Sequence, residues 1–294
     1  MRGRMAPGRR TALAVMAGGL LAGCAGTGRT ATASPAAVPA TRTPPPTPSP
    51  SASASAPALP TRAGIVARYG RMHPVTWGFD APGVVSRLPS AASGALALTF
   101  DACGGPGGAG YDARLIGILR HHQVPATLFI NSRWIDANPE VFRSLAADPL
   151  FEIGNHGTRH RPLSVTGRSA YHIPGTRNAG EVYDEVAGNH VKLTKLLGRP
   201  PRFFRSGTAY CDDVAARIVV ALGERFVNFS VNGDGGATFT PAQVDRTVAA
   251  APAGSIVISH MNHPHGGTAE GYARALPRLL GAGHRFVRLS DVLR

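Results

Sequence analysis

From residue 95 onward, apolar strand-like runs alternate with amphipathic helical stretches, and this alternation limits the fold more than any other feature. "ALALTF" reads as a buried strand, and "YDARLIGILRHH" carries Leu115, Ile118 and Leu119 at helical spacing. "PATLFIN" reads as a strand. Pro139 then opens a short helix, "PEVFRSLAA", with proline in a favoured first-turn position. "FEIGN" is a strand, and residues 180–197 form a longer amphipathic helix stopped by Gly198 and two prolines. After the strand "RFFR" and a helix over 212–222 come the strand "RFVNFSV" and a Thr-capped helix, "TPAQVDRTVAAA". "GSIVISH", a helix over 268–282 and "RFVRL" complete the series. About seven strands separated by helices imply right-handed βαβ crossovers and parallel pairing. The expected class is α/β, with a closed or nearly closed barrel. No GxGxxG follows the first strand, which disfavours dinucleotide binding.

The chain before this region has a different character. Arg2, Arg4, Arg9 and Arg10 precede an apolar run ending in "LAGC" at Cys24. The run is short for a permanent span and fits a signal-peptide core behind a basic stretch. "LAGC" resembles a bacterial lipobox, in which the cysteine is lipidated. Residues 1–24 are therefore expected to direct export, with Cys24 as the lipid anchor. Arg9-Arg10 also resembles a twin-arginine signal, so the export route stays open. Residues 25–60 are rich in Pro, Ala, Ser and Thr and read as a disordered linker. Residues 61–94 are read as an extension packing on the barrel, and 95–294 as the catalytic domain.

Of the 31 Lys and Arg, six lie before residue 61, leaving 25 against 17 acidic side chains, a net +8 for the folded part. These charges are scattered rather than grouped in blocks, which argues against a nucleic-acid partner. They suit an exported protein working near an anionic cell wall, and the chain is expected to be a monomer.

In an α/β barrel the chemistry sits at the C-terminal ends of the strands. Five segments deliver a polar or ionisable group there: Asp101; His156 and His160 in "NHGTRH"; Arg205; Asp234 in "NGD"; and His260. His156 and His160 are four apart, so one helical turn would align them as a metal pair for Zn²⁺ or a similar ion. No Glu stands between them in the HExxH manner. A metal with an open position acidifies water and polarises a carbonyl. Asp101 would take the proton from that water, and His260 would protonate a leaving group. Arg205 would orient a carboxylate. Together these groups describe metal-assisted hydrolysis of an amide or ester.

The same residues resemble the polysaccharide deacetylase family with the NodB-type domain (carbohydrate esterase family 4-like). "TFDAC" is similar to its TFDD motif, "HGTRH" to HSxxH, and "RFFRSGTAY" to RxPY. "VNGDGG" is similar to its aspartate-bearing motif and "ISH" to LxH. The resemblance implies a distorted (β/α)7 barrel that removes acetyl groups from N-acetylated sugars of a polymer such as peptidoglycan, a chitin-like chain or exopolysaccharide. It implies Asp101 as base, His156 and His160 as metal ligands, and His260 as acid. It implies Arg205 paired with Asp234 in support of the base, and Tyr210 as the backbone N–H donor to the oxyanion. A non-catalytic wall-binding lipoprotein and an esterase or amidase for a non-sugar acyl group are the alternatives.

The sequence departs from the family pattern at Ala102, where the second aspartate of TFDD, the third metal ligand, is expected. Three accounts stay open: the histidines hold the metal with Asp101 approaching it; Asp212 or Asp213 replaces the lost ligand; or no metal binds. Cys103 and Cys211 follow two of the motifs, and a disulfide between them is expected in an oxidising compartment. It would contribute about 4–5 kcal/mol in the chain-entropy model. A thiolate metal ligand and two free thiols are the rival readings. His263 and His265 read as a polar loop beside the rim. Trp77 and Phe79 read as packing residues, or alternatively as a surface for stacking on sugar.

Overall fold

The computed structural model describes residues 58–293. The signal-peptide segment, Cys24 and nearly all of the expected linker lie outside the described residues.

A parallel sheet forms the frame. Its strands, in spatial order, are β2 (Val84–Val85), β8 (Arg225–Val227), β6 (Phe203–Phe204), β5 (Phe151–Asn155), β4 (Ala126–Ile130), β3 (Ala95–Ala102), β10 (Ile256–His260) and β9 (Val231–Asn232). A ninth strand, β11 (Arg285–Phe286), pairs with the start of β3. Every pair in this sheet is parallel. The sheet curls into a distorted (β/α)7 barrel of the NodB type; the alternation of elements predicts a closed or nearly closed barrel, and the family resemblance implies this form of it. A separate antiparallel ribbon joins β1 (Trp77–Gly78) to β7 (Cys211–Asp212).

β3 is buried along its whole length, and its alternation divides the core. Leu96, Leu98, Phe100 and Ala102 pack in one apolar cluster with Leu115, Trp134, Tyr272 and Leu276 from the surrounding helices. Ala95 and Ala97 pack in another with Phe129, Phe203, Val227 and Ile256 from the facing strands. Period-two alternation then carries Thr99 and Asp101 onto the barrel interior.

The helices follow the expected order: α2 (Ala113–His121), α4 (Pro139–Ala147), α5 (Ala179–Leu197), α6 (Asp213–Ala221), α7 (Pro241–Ala249) and α8 (Thr268–Gly281). Thr240 caps α7 in a full capping box with Gln243. Gly198 ends α5 at φ 70°, a conformation open to glycine at little cost. Three helices escape the hydrophobic pattern, α1 (Arg62–Tyr69), α3 (Ser132–Ala137) and α9 (Leu289–Val292), the last beginning at the final residue of "RFVRL", of which only Arg285–Phe286 is strand. α1 packs Ile65 and Tyr69 against Val182 and Val186 of α5. The run "RFVNFSV" is not one strand. It breaks into β8 and β9, and Asn228 between them turns its side-chain amide to the carbonyls of Phe79 and Ala209.

Candidate active site

Strand register sets the rim. Asp101 lies opposite His260 across β3 and β10. Asn155 lies opposite Phe204 across β5 and β6, so His156 and Arg205 leave the sheet side by side.

Arg205 is fully buried. Its Nη1 donates to Asp101 Oδ1 and to Thr99 Oγ1, both at 2.8 Å. Nε donates to the Val227 carbonyl at 3.1 Å and Nη2 to that of Asn228 at 3.0 Å. The guanidinium lies 4.2 Å from the centre of the Phe129 ring. Arg205 therefore pairs with Asp101, not with Asp234. The interior of the barrel brings it to Thr99 and Asp101, while Asp234 stands across β10 beside His260. Burial alone would raise the Asp101 carboxyl. The charges of Arg205, then His156 and His260, reverse this and hold it below its ordinary value.

Asp234 is fully buried and serves His260. Its Oδ2 accepts from the His260 backbone N–H at 2.7 Å and from Thr268 Oγ1 at 3.0 Å, while Oδ1 accepts from His260 Nδ1 at 3.0 Å. Burial opposes charge on the imidazole. The Asp234 carboxylate overcomes this and holds His260 well above the ordinary histidine range. The arrangement is an imidazole oriented by a carboxylate that favours its protonated form, and its other face meets Cys103.

The two metal-motif histidines converge without a helix. Residues 156–160 form a loop, which corrects the expectation of a helical turn. Glu185, on α5, ties it down: its carboxylate accepts from the backbone N–H groups of Thr158, Arg159 and Arg161. Gly157 sits at φ 74°, and a Cβ there would meet Glu185 Oε1 at 2.5 Å, so the clamp needs glycine. His156 Nδ1–H donates to the Arg205 carbonyl at 2.9 Å, which leaves its Nε2 lone pair facing the site. His160 adopts φ 62°, and its buried Nε2 has no hydrogen-bond partner among the described residues. The two rings stand 5.0 Å apart and nearly perpendicular.

Cys103 joins them. Its Sγ lies 3.8 Å from His156 Nε2, and the donor atoms of Cys103, His156 and His160 all fall within 4.8 Å of one another. Burial would raise the thiol, but the positive charge of His160 and contacts with His156, His160 and His260 bring it well below its usual value. Cys103 and Cys211 are both free thiols, so the expected disulfide is not formed. Cys211 is fully buried in the apolar cluster with Leu163, Val214 and Phe226, where it pairs with Gly78 in the small ribbon. Being next to a motif in sequence did not put the two on one loop surface.

Asp212 and Asp213 do not replace the lost aspartate. Asp212 caps α6 through the Ala215 N–H at 2.7 Å and accepts from Val165 N–H at 2.7 Å. Asp213 accepts from Val75 N–H and Thr76 N–H and pairs with Arg217. Tyr210 stands behind the cleft wall. Its N–H reaches Thr208 Oγ1 over a long 3.4 Å, and its ring packs on Phe79, Trp77 and Tyr171 at 4.3, 5.7 and 5.6 Å. Gly207, Thr208 and Ala209 form the wall itself. The cleft holds about 310 Å³ and reaches from Asp101, His160 and His260 to Phe79, Tyr171 and Phe229. Phe79 thus lies at the site, while Trp77 is stacked under Arg168. His263 adjoins His260, with ring centres 6.4 Å apart.

Residues 90–227 match the polysaccharide deacetylase family. The chain is 25% identical over 203 residues to the peptidoglycan-N-acetylglucosamine deacetylase of Bacillus cereus, covering 68% of this chain and 88% of that one. Residues 90–227 thus form a polysaccharide deacetylase domain. Solved structures agree on the fold. A family 4 carbohydrate esterase pseudoenzyme from Bacillus anthracis superposes with a TM-score of 0.60 at 21% identity, covering 73% of this chain and 70% of that one. A family 4 acetyl xylan esterase from Clostridium thermocellum, solved with a cobalt ion, gives 0.55 at 22% identity, covering 67% and 89%.

Two features of the site were not anticipated from the sequence. Glu185 lay within a plain helical pattern, where nothing distinguishes a clamping carboxylate from a solvent-facing one. Thr99, which shares Arg205 with Asp101, was legible only as part of a strand.

Proposed function

We propose that this protein is a metal-dependent deacetylase that hydrolyses the N-acetyl groups of a cell-wall or extracellular polysaccharide, and that residues 95–294 carry the activity. The observation that carries the reading is a matched acid and base in register on adjacent strands. Asp101 is kept ionised by Arg205, and His260 is kept protonated by Asp234. Environments that hold two titratable groups in opposite states assign the acid and the base.

The residues present fit a divalent ion. His160 Nε2 is buried without a partner among the described residues, and His156, bonded through its other nitrogen, turns Nε2 to the site, 3.8 Å from Cys103 Sγ and 3.6 Å from Asp101 Oδ2. When bound there, the ion would polarise the acetyl carbonyl and acidify a water. Asp101 Oδ2 accepts the proton of the water that attacks the acetyl carbon. The C–N bond breaks, His260 Nε2 gives its proton to the departing amine, and acetate leaves. Phe79 and Tyr171 supply apolar faces for a sugar ring.

The relative from Bacillus cereus favours peptidoglycan N-acetylglucosamine as the substrate class. The reading also carries export through residues 1–24, attachment at Cys24 and a tether over 25–60. Acetate release from N-acetylglucosamine oligomers and from peptidoglycan, with and without a chelator, tests it. Acetylated xylan serves as the ester control. Asp101→Asn and His260→Ala should each lower kcat about 10²–10⁴-fold, and the chelator should abolish turnover. Ala102 and the likeness to a pseudoenzyme favour a second reading, a non-catalytic wall-binding protein. Wild-type protein that releases no acetate yet retains peptidoglycan would support that reading instead.

A further inference from the structure

The third ligand of the family's metal site is missing at Ala102, and the geometry of β3 explains where its replacement lies. The methyl of Ala102 packs among Leu115, Trp134 and Tyr272 in the layer under the helices. One residue on, the chain returns to the Asp101 side, and Cys103 faces the histidine pair. We propose that Cys103 is the third protein ligand, so that the centre is a Cys103–His156–His160 site bearing a thiolate instead of a carboxylate. The inference rests on the reading of His156 and His160 as metal ligands.

Three distances and contacts support it. With bonds of about 2.0–2.3 Å, the donors of a tetrahedral ion stand about 3.3–3.8 Å apart. Cys103 Sγ and His156 Nε2 are already at 3.8 Å, and no pair in the group exceeds 4.8 Å. Small side-chain rotations close the set. His160 Nε2 has no other partner among the described residues. Asp101 is outside this group of three: Arg205 engages its Oδ1, and its Oδ2, 3.6 Å from His156 Nε2, stands beside the site as the base. Three protein donors leave a fourth tetrahedral position open, the pattern of catalytic rather than structural sites. A thiolate also changes which ion is chosen. Soft sulfur favours Zn²⁺ over Mg²⁺ or Mn²⁺, which suit oxygen donors.

The test uses the mature full chain, stripped and reloaded with Co²⁺ as a spectroscopic probe. Wild type should bind one Co²⁺ and show a thiolate-to-cobalt charge-transfer band in the near ultraviolet. Cys211→Ser should keep the band. Cys103→Ser should lose it and weaken Zn²⁺ binding by at least about tenfold, since even indirect disturbance of a ligand costs that much. Cys103→Asp, which restores an oxygen donor, should bind Co²⁺ without the band. Binding of Co²⁺ by wild type with no such band overturns the proposal, as does failure of wild type to bind Co²⁺ at all. An acetyl group found on Cys103 by mass spectrometry after turnover makes it a nucleophile and also overturns it. A clear band together with no acetate release from any polymer supports the Cys103 ligand and sinks only the deacetylase reading.

Discussion

Arg205 is the most heavily committed side chain in the site. It spends its donors on one carboxylate, one hydroxyl and two carbonyls. Removing one member of a buried ion pair leaves the other charge uncompensated, at a cost of about 3–5 kcal/mol. Arg205→Met should therefore destabilise the fold by that amount in urea unfolding, and adding Asp101→Asn should recover part of the loss. Additive effects would show that the pair is not coupled. Asp234 acts on a different quantity. His260 must be protonated to donate, so activity falls as pH rises through its pKa. Asp234→Asn removes the charge that raises that pKa, and the alkaline limb of the kcat profile should move to lower pH. An unmoved limb would separate His260 from the proton donation. At this scale the sequence was partly legible. Asp101, His156, His160 and His260 could be picked out because strand ends are where a barrel presents its chemistry. The partner of Arg205 could not, because it depends on how far a long side chain reaches through the interior. Cys103 was assigned to a disulfide because spacing along the chain does not reveal the face of a loop.

Among the elements, the helical series and the long strands followed from period and caps, as with the Thr240 capping box and the Gly198 stop. α1 and α3 did not. Arg62–Tyr69 carries few apolar residues, and Ser132–Ala137 is too short to show a period. Their positions come from tertiary contacts. β5, α5 and β8 also meet in a polar knot that no pattern marks. Glu224, next to β8, accepts from Asn155 Nδ2 at 2.9 Å and from His190 Nδ1 at 2.8 Å. Burial pushes its carboxyl up to about 7 from an ordinary 4.5. The folded state therefore holds a proton there that the unfolded chain releases earlier. This contribution to stability is complete below about pH 4.5 and declines as pH rises toward about 7. Glu224→Gln keeps an acceptor for both donors and has no proton to lose. It should be more stable than wild type by about 1–3 kcal/mol at pH 8, with the gap closing at pH 4. Denaturant melts at the two pH values measure it, and an equal gap at both would exclude Glu224 as the cause.

For the whole molecule, a fold that carries hydrolases also carries a pseudoenzyme, so activity has to be argued from the site. Here Asp101 and His260, the acceptor and donor of the proposed reaction, are each held by a buried partner, which an inert binding protein does not require. The proposed location rests on the other end of the chain. On the lipoprotein reading, Cys24→Ala should move the protein from the membrane fraction to the soluble extracytoplasmic fraction without altering its turnover of soluble oligomers. Retention of the variant in the membrane fraction would point to an uncleaved signal instead.

Arg205 also connects two parts of the site mechanically. Its guanidinium holds the base, and its carbonyl holds the imidazole of His156. A displacement at the end of β6 therefore carries the proton acceptor and a metal-facing nitrogen along together. Asp101 is in turn in register with His260 across β3 and β10, so one buried guanidinium ties three separate strand ends of the cleft into a single rigid unit.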